Sequence, residues 1–202
     1  MNFITDNLKR DPKRKRKSGK SMKTVSQDLT HEHKAIQVAL NILEIMYEKL
    51  EKESEADYIE INDLLEFLKE FADKCHHGKE EGFLFPALEK TGVRNHGGPI
   101  GAMLSEHTLG RDLIKQMQDN LLKNEVDSQG FVEAAKSYVR LLRAHIQKEN
   151  TILFPLIEVK MSASEQAELL RSFENHEEEV IGEGRHKELH IMLETFRDKY
   201  LL

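Results

Sequence analysis

Two stretches of this sequence carry the same reactive groups in the same order. HHGKEEGFLFP (76–86) and HIQKENTILFP (145–155) agree at six of eleven positions without a gap: His, Lys, Glu, Leu, Phe and Pro. Each holds a histidine four residues before a glutamate, His76 with Glu80 and His145 with Glu149. Side chains four apart share one helix face, with Cβ atoms about 5–6 Å apart. An imidazole and a carboxylate so placed are a ready pair of ligands for a cation. Without one, a carboxylate on a buried face costs on the order of several kcal/mol.

The surrounding pattern says that these faces are buried. Leu29, His33, Ile36, Leu40, Leu43, Tyr47 and Leu50 alternate in steps of four and three, the seam of a helix bundle. Asp28 is suited to cap that first helix. A second helix starts near Asp57 and carries Leu65, Leu68, Ala72, His76, Glu80 and Phe83. TGVRNHGGP breaks the chain, and Pro99 suits the first position of a third helix, which follows Ile100, Met103, His107, Gly110, Ile114, Met117 and Leu121. The fourth follows Phe131, Ala135, Tyr138, Leu142, His145, Glu149, Ile152 and Leu156. Every one of these seams carries a histidine where an apolar residue belongs: His33, His76, His107 and His145. Four imidazoles and two carboxylates would meet at the centre of the bundle.

That donor set narrows the metal. Nitrogen and oxygen without thiolate suit iron, manganese or zinc and disfavour calcium. The set is too large for one tetrahedral zinc, and it fits two ions with Glu80 and Glu149 bridging and the histidines terminal. A single zinc held by part of the set is the remaining alternative.

Composition bounds the rest. The chain has 202 residues, a net charge of −6, one cysteine and no tryptophan. No run is long and apolar enough to span a membrane, the N-terminus lacks the apolar stretch of a secretory signal, and the lone Cys75 cannot form an internal disulfide. A cytoplasmic location is the expectation. Residues 1–23 carry +7, which leaves −13 on the remainder. So basic a segment is expected to be a disordered tail, and nucleic-acid binding is not its favoured reading. The division expected is 1–24 tail, 25–160 bundle and 161–202 a C-terminal helical extension that opens on a Ser162/Glu165 capping box. That extension is expected to pack on the bundle or to form a homodimer contact.

The order His, HxxxE–LFP, His, HxxxE–LFP resembles the hemerythrin family, specifically its hemerythrin-like HHE cation-binding domains, over residues 25–160. The resemblance implies an all-α, up-and-down antiparallel four-helix bundle around two non-haem iron ions joined by an oxo or hydroxo bridge. By motif, the ligands are His33, His76, Glu80, His107, His145 and Glu149. An open position for O2, peroxide or NO is implied too, with roles in oxidative or nitrosative stress or iron–sulfur cluster repair. Iron storage or sensing, or regulation through the basic tail, are the alternatives.

One departure bears on function. Oxygen carriers of the family have a second histidine four residues after the first on the third helix, and Arg111 stands there. They also close the fourth helix with a longer His-to-Asp spacing, where this chain repeats HxxxE. A more carboxylate-rich site favours ferric iron and argues against reversible oxygen transport. Gly110, on the same seam, either leaves room for a small ligand or water or marks a close helix contact. His31, His77 and Glu81 fall off the stripes and are read as outer or solvated residues. Cys75 is read as a small buried apolar group. His176 and His186 each fall near the apolar face of the extension, where packing is the favoured reading and a further metal ligand or a contact with a neighbouring subunit the alternative.

Overall fold

The computed structural model describes residues 23–53, 56–122, 126–182 and 184–202. Residues 1–22, nearly the whole basic segment, lie outside them. Among the described residues six helices follow one another: α1 (Val25–Glu53), α2 (58–90), α3 (Pro99–Leu121), α4 (128–160), α5 (Ala163–Val180) and α6 (Arg185–Tyr200). There is no strand among them, and no helix is long and apolar enough to cross a membrane.

The helix starts follow local chemistry. Asp57 accepts from the amides of Ile59 and Glu60 and so opens α2. Pro99 begins α3, where its missing N–H costs nothing. Ser162 and Glu165 form the expected capping box of α5. Asp28 is a correction, because α1 starts earlier than the cap assigned to it. Thr24 and Gln27 exchange bonds at 3.1 and 3.3 Å across the first turn, and Asp28 lies inside the helix, paired with Lys23.

α1 to α4 make the bundle, with α1 and α3 each packed against both α2 and α4. Short connections such as 91–98 return the chain antiparallel to itself. Two apolar clusters fill the interior. One gathers Leu40, Phe67, Phe71, Phe131 and Leu142, and the other Leu29, Phe85, Leu88, Ile100 and Phe154. α5 inserts Phe173 into the second cluster, and α6 inserts Leu189, Leu193 and Phe196 into the first.

Two helices are wider than the α form at the level of the polar seam residues. Leu68–His77 and Glu80–Leu84 in α2, and Glu149–Leu153 in α4, are π-helical. The amide of Phe85 donates to the Glu80 carbonyl and that of Phe154 to the Glu149 carbonyl, steps of five residues. For the Glu80–Leu84 and Glu149–Leu153 segments, Pro86 and Pro155, the ends of the two repeats, supply a cause. Each lacks an N–H, and its ring would strike the carbonyl four residues back in an ordinary α turn. A wider turn relieves that clash, and such turns recur at functional sites.

Candidate metal centre

The six seam residues converge in one buried layer. His33, His76, His107 and His145 are each 1% exposed, and Glu80 and Glu149 are fully buried. His33, His76, Glu80 and Glu149 form one group of donor atoms all within 4.8 Å of one another; His77, Glu80, His107 and His145 form a second. Glu80 belongs to both. Its two oxygens face histidines of different groups, Oε1 at 3.8 Å from His76 Nε2 and Oε2 at 3.4 Å from His107 Nε2. Glu149 does likewise, with Oε1 3.2 Å from His145 Nε2 and Oε2 3.1 Å from His33 Nε2. Neighbouring ligands about 2.1 Å from one octahedral ion stand about 3 Å apart, so these spacings suit a shared shell.

His77 departs from the reading by period. It is 4% exposed and stacks on His107 at 3.8 Å, inside the donor layer and not in solvent. The physical reason is the π-helical course of Leu68–His77. A wider turn advances fewer degrees per residue, so two adjacent histidines reach the same interior. A 3.6-residue period admits only one of them. The counterpart of His77 in the second repeat is Ile146, also buried, so the two halves differ by one imidazole.

Every inward Nε2 is aimed by a partner at Nδ1. His33 Nδ1 donates to Asn150 Oδ1 at 3.0 Å, His76 to Glu32 at 2.8 Å, His107 to Glu81 at 2.7 Å and His145 to Glu106 at 2.9 Å. His77 has only a 3.4 Å contact with Asp73. These partners repeat in the same pseudo-twofold pattern as the donor residues. Glu32 and Glu106 each precede a seam histidine, and Lys79 and Lys148 each bind the corresponding glutamate. Phe85 lies on His107 and Phe154 on His33, at 5.8 and 5.2 Å. The EH pairs at 32–33 and 106–107 were a readable signal for these outer carboxylates. Glu81 thus touches a donor histidine rather than joining the cluster, and His31 is exposed.

With Nδ1 donating, each neutral imidazole turns a lone pair inward at Nε2. His107 and His145 then point bare nitrogens at each other across 3.1 Å. His33, His76 and His77 Nε2 and all four oxygens of Glu80 and Glu149 have no hydrogen-bond partner. Buried polar atoms are normally satisfied, and seven orphans aimed at one layer call for cations between them. The titration behaviour agrees. Burial disfavours charge on His107, yet the carboxylates of Glu80, Glu81 and Glu149 around it outweigh burial and raise the pKa to about 9. Burial pushes Glu149 up, but the adjacent His145 and His33 imidazoles hold it well below the usual carboxylate range. Burial and the neighbouring imidazoles push His77 well down, so its imidazole is neutral.

A cavity of about 370 Å³ adjoins this layer between α2, α3 and α4, with His77, Gly110, Ile114 and Tyr138 on its inner wall. A larger one of about 480 Å³, by Asp57 and Tyr200, is lined by none of the donors. Gly110 sits on the wall, and a Cβ there would meet Leu142 and Tyr138 at ordinary contact distance, 3.6 and 3.7 Å. Arg111, at the position where an oxygen carrier has histidine, pairs outward with Asp73 and Glu81 at 2.7 and 2.5 Å.

A bundle with a buried layer of imidazoles around two shared carboxylates defines a metal-binding helical protein. The chain belongs to the hemerythrin HHE cation-binding family, whose domain model matches residues 24–157. It is similar to the uncharacterized protein Rv1995 of Mycobacterium tuberculosis and the uncharacterized protein Mb2018 of Mycobacterium bovis. Each is 25% identical over 169 residues, covering 80% of this chain and 64% of the relative. The chain therefore spans under two thirds of the length of these relatives. No solved structure matches it.

Proposed function

We propose that this protein holds a non-haem di-iron centre that reacts with or senses a small oxygen or nitrogen-oxide ligand: O2, peroxide or NO. The observation that carries the reading is the double donor group sharing Glu80, with Glu149 spanning the same two groups. His33 and His76 would hold one ion and His77, His107 and His145 the other, with Glu80 and Glu149 within reach of both. Iron bound there supplies one-electron and oxygen chemistry that no side chain of the layer has.

The chain's own groups do the rest. The Nδ1 acceptors fix the tautomer and orientation of the imidazoles. Two anionic ligands offset part of the charge of a metal pair, and Phe85 and Phe154 keep water from the layer. With fewer histidines in its group, an ion held by His33 and His76 would have more room for an exogenous ligand. The cavity beside His77 and Gly110 gives a small molecule a way to the layer. Burial raises the Tyr138 phenol, so this residue of the cavity wall stays protonated.

The test is anaerobic reconstitution with ferrous iron, metal analysis, and an optical spectrum as air, peroxide or NO is admitted. Near two irons per chain and a charge-transfer band that a reductant removes are expected. One zinc per chain in the purified protein, with no uptake of iron and no colour, would overturn the reading.

A further inference from the structure

The two halves of the layer differ in what lies behind them. In the α3–α4 half, Lys148 binds Glu106 and the chain of contacts ends there, with the lysine side chain 38% exposed. In the α1–α2 half, Lys79 is 2% exposed and held from two sides. Its Nζ donates to Glu32 at 2.6 Å and to Glu177 at 2.9 Å. Glu177 lies on α5, beyond the stretch that the family model covers, and its other oxygen is 3.2 Å from His186 Nδ1 on α6. Gly78 allows this approach, since a Cβ there would stand 2.4 Å from His176 Nε2. That nitrogen instead donates to the Lys74 carbonyl at 3.0 Å. An unbroken line of polar contacts thus runs from His186 through Glu177, Lys79 and Glu32 to His76.

We propose that Glu177 and Lys79 are positioning residues through which the C-terminal helices set the charge on Glu32, and thereby tune the metal ion held by His33 and His76. The proposal rests on the metal-pair reading above. A carboxylate on the outer nitrogen of a ligand histidine governs how strongly that histidine donates to its metal. In a buried, poorly screened setting, charges one contact further out are felt as well. Lys79 alone would largely neutralise Glu32. Glu177 shares the ammonium, which leaves Glu32 more negative and His76 the stronger donor.

The test is a dye-mediated redox titration of the metal-loaded, full-length protein, with metal content and melting midpoint measured on the same samples. E177Q withdraws a negative charge and is expected to raise the midpoint potential of one of the two ions. K79M withdraws a positive charge and is expected to lower that same potential. A merely structural role would move both variants in one direction, so shifts of equal sign, or no shift in either, overturn the proposal. Should K79M fail to fold, E177Q and E177K are expected to give a graded upward shift, and a flat series overturns the proposal. Glu177 is partly exposed, so these variants spare the fold. A wild-type protein that takes up no redox-active pair overturns the metal reading and this proposal together. A normal wild-type wave that ignores every variant overturns this proposal alone.

Discussion

At the scale of single residues, the layer is held by a demand that protein groups alone do not meet. Seven inward atoms lack partners, and without metal the nearest substitute is a proton. This sets the pH dependence. The folded pKa of His107, about 9, lies above its ordinary value of 6.5. The stabilisation it brings is therefore complete below that ordinary value and is lost as the pH rises through the folded one. The melting midpoint of metal-free protein is expected to fall between pH 6.5 and 9. The loaded protein should show no such fall, because metal replaces the proton and competition weakens with rising pH. Calorimetry of both forms across that range checks it, and parallel slopes would contradict it. A second expectation concerns His77. H77A should weaken one of two metal-binding steps at least about tenfold, the cost of losing a ligand contact being no less than that of losing an outer partner. H31A should change neither step. Equal effects of the two in a chelator-competition titration would remove His77 from the ligand set.

At the scale of elements, the sequence carried most of the arrangement. The helical period of the apolar residues located the four bundle helices, and the duplicated HxxxE singled out Glu80 and Glu149. It missed His77 because a fixed 3.6-residue period has no place for a turn of different width. It also read Asp28 as a cap, since an acidic residue near a helix start serves equally well inside the first turn. The widening at Glu80–Leu84 and Glu149–Leu153 has a visible origin in Pro86 and Pro155, and that too can be tested. P86A restores the missing N–H and allows an α turn, which would rotate Glu80 relative to His76. The variant is expected to hold its helix content, with thermal stability of the metal-free chain unchanged or higher, yet to lose about tenfold in metal affinity. P155A should do the same through Glu149. Unaltered metal binding in both would mean that the π-helical turns do not depend on proline and do not set the ligand positions.

At the scale of the whole molecule, the question is whether α5 and α6 are an appendage or part of one cooperative unit. The expectation from sequence allowed either packing on the bundle or a contact with a second copy. The described residues have both helices on the bundle. Phe173 is 1% exposed in the cluster that also holds Leu29, Phe85 and Phe154, and Lys79 lies 6.0 Å above its ring. Leu189 is fully buried against the other cluster. Elements that share cores with the bundle on both sides of the donor layer unfold with it, because the layer has no apolar surface of its own to retain once either cluster opens. F173A should therefore destabilise the entire protein by about 3–5 kcal/mol, the usual cost of emptying a fully buried phenylalanine site. The loss should appear as one lowered transition in denaturant melts followed by helical signal and by tyrosine emission together. In an appendage, the same substitution would leave the main transition in place and add an early, separate one. Metal separates the cases further. Bound ions stabilise whatever unit contains their ligands, so loading should raise the single transition of F173A as it does that of the wild type, whereas an early transition belonging to a detached segment would not move.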